Sequence, residues 1–239
     1  MNLPAEAKCR RNVSDVCFRS GGGIDTLHNM SVTIDVSPAV HARAGLGRYA
    51  AQLAAAMEHE RPGEVRLFAN VPNGRSARQL PDPLPNLPLK SVSLGYKPWR
   101  MAVWLGQLAH ASLDAQLGET ALYHATEHLL MPLKRIPAVL TVHDLIFKLF
   151  PEHHKKLNYL YLNAAMPLFV RRASHIIAVS EQTRRDLVSH YETPPEKISV
   201  VHEAAASNDQ RLGLVHRAVV RYLEWGPSWS NTLLPRNWV

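Results

Sequence analysis

Short β-branched runs alternate with longer amphipathic segments over residues 31–206 of this chain. The runs that predict strands are SVTIDVS, EVRLFAN, LKSVSL, ALYHA, AVLTVH, SHIIAVS and KISVVH. Helices are predicted between several of them: LGRYAAQLAAAME places Tyr49, Leu53 and Met57 at helical spacing, and residues 98–117 have a similar apolar period. This alternation predicts an α/β fold with a doubly wound, mainly parallel sheet and right-handed crossovers.

The two ends of the chain lack this pattern. Residues 1–29 are rich in turn-forming residues, and we expect a disordered tail or an extension upstream of a natural start at Met30. Residues 207–239 have no apolar period and carry three scattered tryptophans, so we expect an irregular tail, read out of frame. The organised domain is therefore predicted to span residues 31–206.

Composition narrows the classes of function. The 239 residues carry a net charge of +7, but no Lys/Arg run is interleaved with aromatic residues, so nucleic acid is not an expected partner. A solvated basic surface is the simplest interpretation. No apolar run is long enough for a membrane span, and the only cysteines are Cys9 and Cys17, which fits a reducing cytoplasm.

The segment KPWRMAVW, residues 97–104, combines basic and aromatic residues. Such a segment could contact an anionic membrane surface that carries a lipid-linked acceptor. Burial of Trp99 and Trp104 in the core is the favoured alternative. Peripheral membrane contact is therefore kept as a hypothesis.

Glycines lie between the first predicted strand and the first predicted helix, in the segment RAGLGRY. Gly45 and Gly47 would let a phosphate approach the positive end of the helix, with Arg43 or Arg48 beside it. The pair lacks the third glycine of a dinucleotide motif and the Lys-Ser/Thr of a P-loop. A tight turn without a ligand remains equally open.

Polar side chains follow two later strands. His143 and Asp144 come directly after AVLTVH, where an imidazole could bind a hydroxyl or a phosphate or move a proton. His124, Glu127 and His128 lie in HATEHLLMP and suit hydroxyl recognition. Their His-x-x-Glu-His spacing resembles a metalloprotease arrangement, but the nearby Met-Pro indicates a loop, so we expect no metal. A third strand end carries a serine that looks like a helix N-cap, Ser180.

Several of these segments occur together and in order: IDVSPAVHARAGLGRYAAQLA, YHATEHLLMP, PAVLTVHDLIFKLFPE, ASHIIAVSEQTRRDL and KISVVHEA. In this order they resemble the N-terminal domain of family-four glycosyltransferases of the GT-B fold, most closely the bacterial mannosyltransferase-like members. The resemblance covers about three quarters of the chain. It implies a Rossmann-like half of a GT-B fold.

The resemblance also implies an activity. Family-four enzymes transfer a hexose from a nucleotide sugar to a glycan or lipid-linked acceptor with retention of configuration and without a metal cofactor. The implied setting is polysaccharide synthesis in the cytoplasm, at the inner face of the membrane. The implied roles are catalysis by His143 and Asp144, donor phosphate binding by Gly45, Gly47 and Arg48, and acceptor binding by His124, Glu127 and His128.

One departure from the family pattern bears on activity. The family continues after VVHEAA into a segment like V-G-T-x-x-x-R-K-N-L and a later E-x(7)-E motif, and neither is present here. We therefore expect the C-terminal half to be missing and the chain to be inactive alone. Two alternatives stay open, namely a non-catalytic glycan- or phosphate-binding module and a flavodoxin-like partner-binding domain.

Overall fold

Seven strands form one sheet in the computed structural model, which describes residues 31–71, 80 and 84–203. All neighbouring strands pair in parallel, in the order β3-β2-β1-β4-β5-β6-β7. The predicted fold class and all seven predicted strands are confirmed. The predictions for residues 1–29 and 207–239 lie outside the described residues. The strands are β1 (Val32–Asp35), β2 (Val65–Asn70), β3 (Leu89–Val92), β4 (Leu122–Ala125), β5 (Ala138–Val142), β6 (His175–Ala178) and β7 (Ile198–Val200).

Helices connect the strands of this sheet. Two differ from the sequence prediction. The helix predicted at residues 98–117 ends at Leu108, because His110 adopts a positive φ of 51° that an α-helix does not accommodate. A short helix also precedes the first long one. The α-helices are α1 (Ser37–Val40), α2 (Ala44–Glu60), α3 (Tyr96–Leu108), α4 (Asp114–Leu117), α5 (Ile146–Leu149), α6 (Lys156–Arg172) and α7 (Glu181–Tyr191); short 3-10 turns span Leu84–Asn86, Pro151–His153 and Pro195–Lys197.

Apart from the edge strand β3, the sheet is buried on both faces, as its apolar strands predict. Successive side chains on β2 illustrate this, because Leu67 belongs to the core that α2 covers and Phe68 to the core on the opposite face. On that opposite face Trp99 is only 4% exposed and packs on Phe68, with ring centroids 5.8 Å apart. The structure thus confirms the favoured alternative for Trp99, burial in the core.

The direction of winding reverses between β1 and β4. From β1 the chain adds β2 and β3 on one side, and it then returns to add β4 to β7 on the other side. At such a reversal the connections leave toward opposite faces, and a crevice opens outside the carboxyl ends of the two strands. The residues that follow β1 and β4 are therefore the first place to look for a ligand site.

Candidate functional site

The end of β1 is fixed by a buried carboxylate, Asp35, which is 1% exposed. Its Oδ1 accepts a hydrogen bond from the Ser37 backbone N–H at 2.8 Å, and its Oδ2 accepts one from the Tyr123 hydroxyl at 2.8 Å. Burial raises the pKa of Asp35 despite these bonds. The carboxylate thus ties α1 to β4 where the winding reverses.

Glu127 follows β4 and joins three elements at the crevice. Its Oε2 accepts from Nη1 of Arg43 at 2.7 Å and from the Tyr96 hydroxyl at 3.3 Å, and Arg43 also donates to that hydroxyl. The Glu127 side chain is only 4% exposed, and its Oε1 has no partner among the described residues. Burial raises the pKa of Glu127, and Arg43 opposes that rise. A buried acceptor atom is thus left for a donor from outside.

Aromatic rings and guanidinium groups stack beside this carboxylate. The guanidinium carbon of Arg43 lies 5.0 Å from the centroid of the Tyr96 ring, and that of Arg100 lies 5.4 Å from the same centroid. Arg100 also stacks on Tyr161 at 3.9 Å and donates to Asn158 at 2.9 Å. These cation–π contacts fix the wall that α3 and α6 contribute.

His143 follows β5 with both ring nitrogens engaged. One nitrogen, Nε2, lies 2.8 Å from the Thr126 carbonyl oxygen, and Nδ1 lies 2.7 Å from Oε1 of Glu203. Because both partners can only accept when Glu203 is ionised, the arrangement favours the doubly protonated imidazolium. Burial lowers the pKa of His143, but the bonds to Glu203 and Thr126 outweigh it and the pKa is raised. Both ring nitrogens of His143 are therefore held at the carboxyl edge of the sheet.

His124 lies deeper, inside β4, and is fully buried. Its Nε2 is 2.8 Å from the Thr141 hydroxyl, which in turn is 3.1 Å from the Tyr49 hydroxyl. The Tyr49 ring meets the His143 ring edge-on, with centroids 5.0 Å apart. Burial lowers the pKa of His124 to about 3, so this ring is neutral. His124 is not placed to touch an acceptor, contrary to the sequence expectation, because the sheet encloses it.

His128 and Asp144 support the backbone around His143. The Nε2 of His128 accepts from the His143 backbone N–H at 3.3 Å, and burial lowers the pKa of His128 to about 4. The Asp144 carboxylate accepts from the Ile146 N–H at 3.0 Å, which begins helix α5. Both bonds organise the loop after β5. Ser180 accepts from the Thr183 N–H at 3.0 Å, which confirms it as the N-cap of α7.

The glycine segment is arranged differently from the prediction. Gly45 and Gly47 lie inside α2, and the positive φ of this connection, 51°, belongs to Ala42. Gly47 is buried: its N–H is bonded to the Arg43 carbonyl, and a Cβ there would lie 2.9 Å from the Pro38 oxygen. The structure therefore gives Gly47 a packing position against α1, and its N–H is not free for the phosphate that the sequence predicts there.

Gly45 and Arg48, the other residues predicted to bind the donor phosphate, lie in the first turns of α2. Gly45 and Arg48 are exposed, and a Cβ at Gly45 would meet open space. No side chain caps the helix, so the amides of residues 44–46 have no intrahelical partner. These N–H groups, rather than that of Gly47, are positioned for an anion.

Sequence reasoning missed three residues that build the crevice. Tyr96, Arg100 and Glu203 were not among the predicted site residues. Tyr96 meets Glu127 and Glu203 meets His143 through the fold, and Arg100 stacks on Tyr96. Arg43 was noticed as a phosphate ligand, whereas the structure pairs it with Glu127. The described part of the chain brings together no three metal-ligating side chains. None of its helices has the length and apolar character to cross a membrane.

Comparison with known proteins adds one finding. The family model described as Glycosyltransferase Family 4 matches residues 43–205, which is more than half of the chain. The matched region begins at Arg43 and includes Glu127, His143 and Glu203. No curated protein sequence matches the chain.

Proposed function

Because the chain belongs to glycosyltransferase family 4, we propose that it transfers a hexose from a nucleotide sugar to a hydroxyl group of a glycan or lipid-linked acceptor, with retention of configuration. Its fold is the Rossmann-like α/β type, and its family makes it a transferase.

The observation that carries this proposal is the unpartnered Oε1 of Glu127. An acceptor hydroxyl can donate to this oxygen, and a buried carboxylate holds such a hydroxyl more firmly than water does. Arg43 and Tyr96 occupy Oε2, so the carboxylate cannot turn away from the ligand. Glu127 is therefore the acceptor residue in this proposal.

We place the nucleotide-sugar donor next to Glu127, at the start of α2. The free amides at the start of α2, with Arg48 nearby, receive the diphosphate. His143 reaches the sugar or its leaving phosphate when its Nδ1–H exchanges Glu203 for the ligand, since both of its ring nitrogens are otherwise engaged. When transfer occurs, the bond between the anomeric carbon and the phosphate oxygen breaks. The acceptor oxygen then bonds to that carbon, and its proton leaves with the diphosphate. Asp144 and His128 hold the loop that presents His143.

We expect this chain to bind without detectable turnover. Arg43 and His143 at the crevice are each paired with a carboxylate, that of Glu127 and that of Glu203 respectively. Neither is free to neutralise a departing diphosphate, and that stabilisation is usually the largest catalytic contribution. A donor-binding half from outside the described residues would supply it.

We also propose contact with an anionic membrane surface. The tryptophans of α3 do not provide this contact, because Trp99 is buried and Trp104 is partly buried. Exposed apolar side chains instead lie on α3 and α6, which touch through Arg100 and Tyr161. Exposed lysines 97, 155 and 156 flank them, which suits a lipid-linked acceptor. The apolar side chains are Met101 (43% exposed), Leu105 (54%), Leu157 (83%) and Leu160 (60%).

Binding and turnover can be tested together. The purified 239-residue protein is titrated with nucleotide hexoses and, separately, with a panel of glycans observed by saturation-transfer NMR. Labelled donor and acceptor are then combined, and products are sought by mass spectrometry. We expect glycan binding that E127Q weakens about tenfold, because a neutral amide oxygen accepts a weaker hydrogen bond than a carboxylate does. E119Q is the matched control, at an exposed glutamate outside the crevice.

The outcomes separate the alternatives. A product with inverted configuration contradicts retention. Glycan binding that ignores E127Q removes Glu127 from the site, and a glycan-binding module without donor affinity then becomes the better description. Absence of both glycan and nucleotide-sugar binding favours a flavodoxin-like partner-binding domain and overturns the proposal.

A further inference from the structure

A cavity of about 240 Å³ lies at the opposite edge of the sheet from Glu127 and His143. Its wall includes Ala138, the first residue of β5, and Ser174, just before β6. Because all the strands run in parallel, strand beginnings lie at the edge away from the crevice. The cavity is therefore separate from the proposed transferase site.

Basic side chains line this cavity without acidic ones. Lys134, Arg135 and Arg172 belong to its wall, and no carboxylate does. None of the three forms an ion pair among the described residues. The neighbouring Asp114 is occupied, since it accepts from the backbone N–H groups of residues 134–136 at 3.2–3.4 Å. Arg172 contacts only a neutral acceptor there, the His110 Nδ1 at 3.0 Å.

One buried polar atom on the wall lacks a partner. Gln107 lines the cavity and is 1% exposed, and its Nε2 donates to the Leu130 carbonyl at 2.8 Å. Because a carbonyl can only accept, this bond fixes which end of the amide faces Leu130. The Oε1 is left with no hydrogen bond among the described residues. A buried acceptor of this kind is satisfied when a ligand brings a hydroxyl group.

We propose that this cavity binds a small phosphorylated compound with hydroxyl groups, such as a sugar phosphate. The phosphate lies against Arg172, Lys134 and Arg135, because guanidinium and ammonium groups form charge-assisted hydrogen bonds to it. A hydroxyl donates to Gln107 Oε1. The carbon skeleton packs on the apolar part of the wall, which includes Leu130, Met131, Leu133, Ile136 and Pro137.

The test is calorimetric titration of the full chain with glucose 6-phosphate, with inorganic phosphate and with glucose. We expect saturable binding of glucose 6-phosphate, weaker binding of phosphate and none of glucose. R172Q and Q107L should each weaken glucose 6-phosphate binding about tenfold. R171Q should not, because Arg171 is exposed on the same helix and does not line the cavity. K134Q removes a second basic side chain from the cavity wall and should also weaken glucose 6-phosphate binding. Circular dichroism checks that each variant is folded.

Several results overturn the proposal. Absence of saturable binding does so, and so does glucose 6-phosphate binding no tighter than that of inorganic phosphate. Equal losses in R171Q and R172Q indicate non-specific attraction to a basic surface and have the same consequence. E127Q separates the two sites: it should weaken glycan binding at the crevice and leave glucose 6-phosphate binding at the cavity unchanged.

Discussion

Arg43 at the start of α2 forms an ion pair with Glu127 after β4, with 2.7 Å between Nη1 and Oε2. The pair spans the crevice at which the winding of the sheet reverses. It joins the helix whose free amides suit a phosphate to the carboxylate whose free oxygen suits a hydroxyl. Donor and acceptor binding should therefore be coupled through these two residues.

Replacing Arg43 with glutamine tests this coupling. Without the guanidinium, the buried Glu127 has lost the cation that lowers its pKa, so it should protonate at higher pH. We expect R43Q to weaken glycan binding about tenfold near neutral pH. R48Q, which removes a cation from the exposed side of the same helix, should leave glycan binding unchanged. NMR titration of both variants from pH 5 to 8 is the measurement, and equal losses would contradict the coupling.

The two glycines of α2 should respond oppositely to alanine. G45A adds a methyl group in open space on an exposed helical position, and it should stabilise the domain by about 1 kcal/mol. G47A places its Cβ 2.9 Å from the Pro38 oxygen, and it should destabilise by about 1–3 kcal/mol despite the same gain in helix propensity. Urea unfolding of the pair measures both. Stabilisation by G47A would show that α1 does not pack as described.

The contact of His143 with Glu203 should make stability depend on pH. A raised folded-state pKa means that the folded protein holds this proton more tightly than the unfolded chain does. The contribution is therefore complete below the ordinary value of 6.5 and is lost as the pH rises through the folded-state pKa. We expect E203Q to be less stable than the parent at pH 6 and to approach it at pH 9. E196Q, at an exposed glutamate, should show no such trend.

The buried Asp35 should give the opposite trend. Burial raises its pKa, so ionising it costs more in the folded state, and stability falls as the pH rises above 3.8. D35N removes this penalty, so its stability relative to the parent should rise as the pH rises above 3.8. Asp114 is a control of opposite sign: burial raises its pKa, but bonds from Ser112 and three backbone amides outweigh this and lower it. D114N should therefore lose stability relative to the parent at high pH.

Membrane contact predicts a distinct set of sensitive residues. The double change L157Q/L160Q removes two of the most exposed apolar side chains of α6 and should reduce co-sedimentation with phosphatidylglycerol vesicles several-fold. Changing Trp99 should instead impair folding, because it lies in the core. Binding that persists in the leucine variant, or that ignores salt, would rule out this surface.

The strands could be predicted because their signal is local. Alternation of Leu67 and Phe68 between two apolar cores is already present in EVRLFAN, and the N-cap at Ser180 needs only the helix that follows it. The helix break near His110 was not predicted, because residues 98–117 have a continuous apolar period. The positive φ of His110 ends the helix there, and the apolar pattern does not reveal that angle.

The site was less predictable because its decisive contacts are long-range. The phosphate role of Gly47 depended on a turn, but the approach of Pro38 from α1 makes this glycine a packing position. His124 looked like a surface ligand, and its partner Thr141, on the next strand, shows that it is interior. Glu127 was recognised, whereas Tyr96, 31 residues earlier, gave no signal at all.

The parallel order of the strands also sets how this domain folds. Two of the contacts near the crevice join residues 84 and 92 positions apart, Arg43 with Glu127 and Tyr49 with Thr141. Loops of this length must close before such contacts form, so parallel sheets fold slowly and their long-range pairings form late. The crevice is thus absent from partly folded chains. A ligand that binds there binds only the native state, and it should raise the midpoint of global unfolding rather than protect one segment.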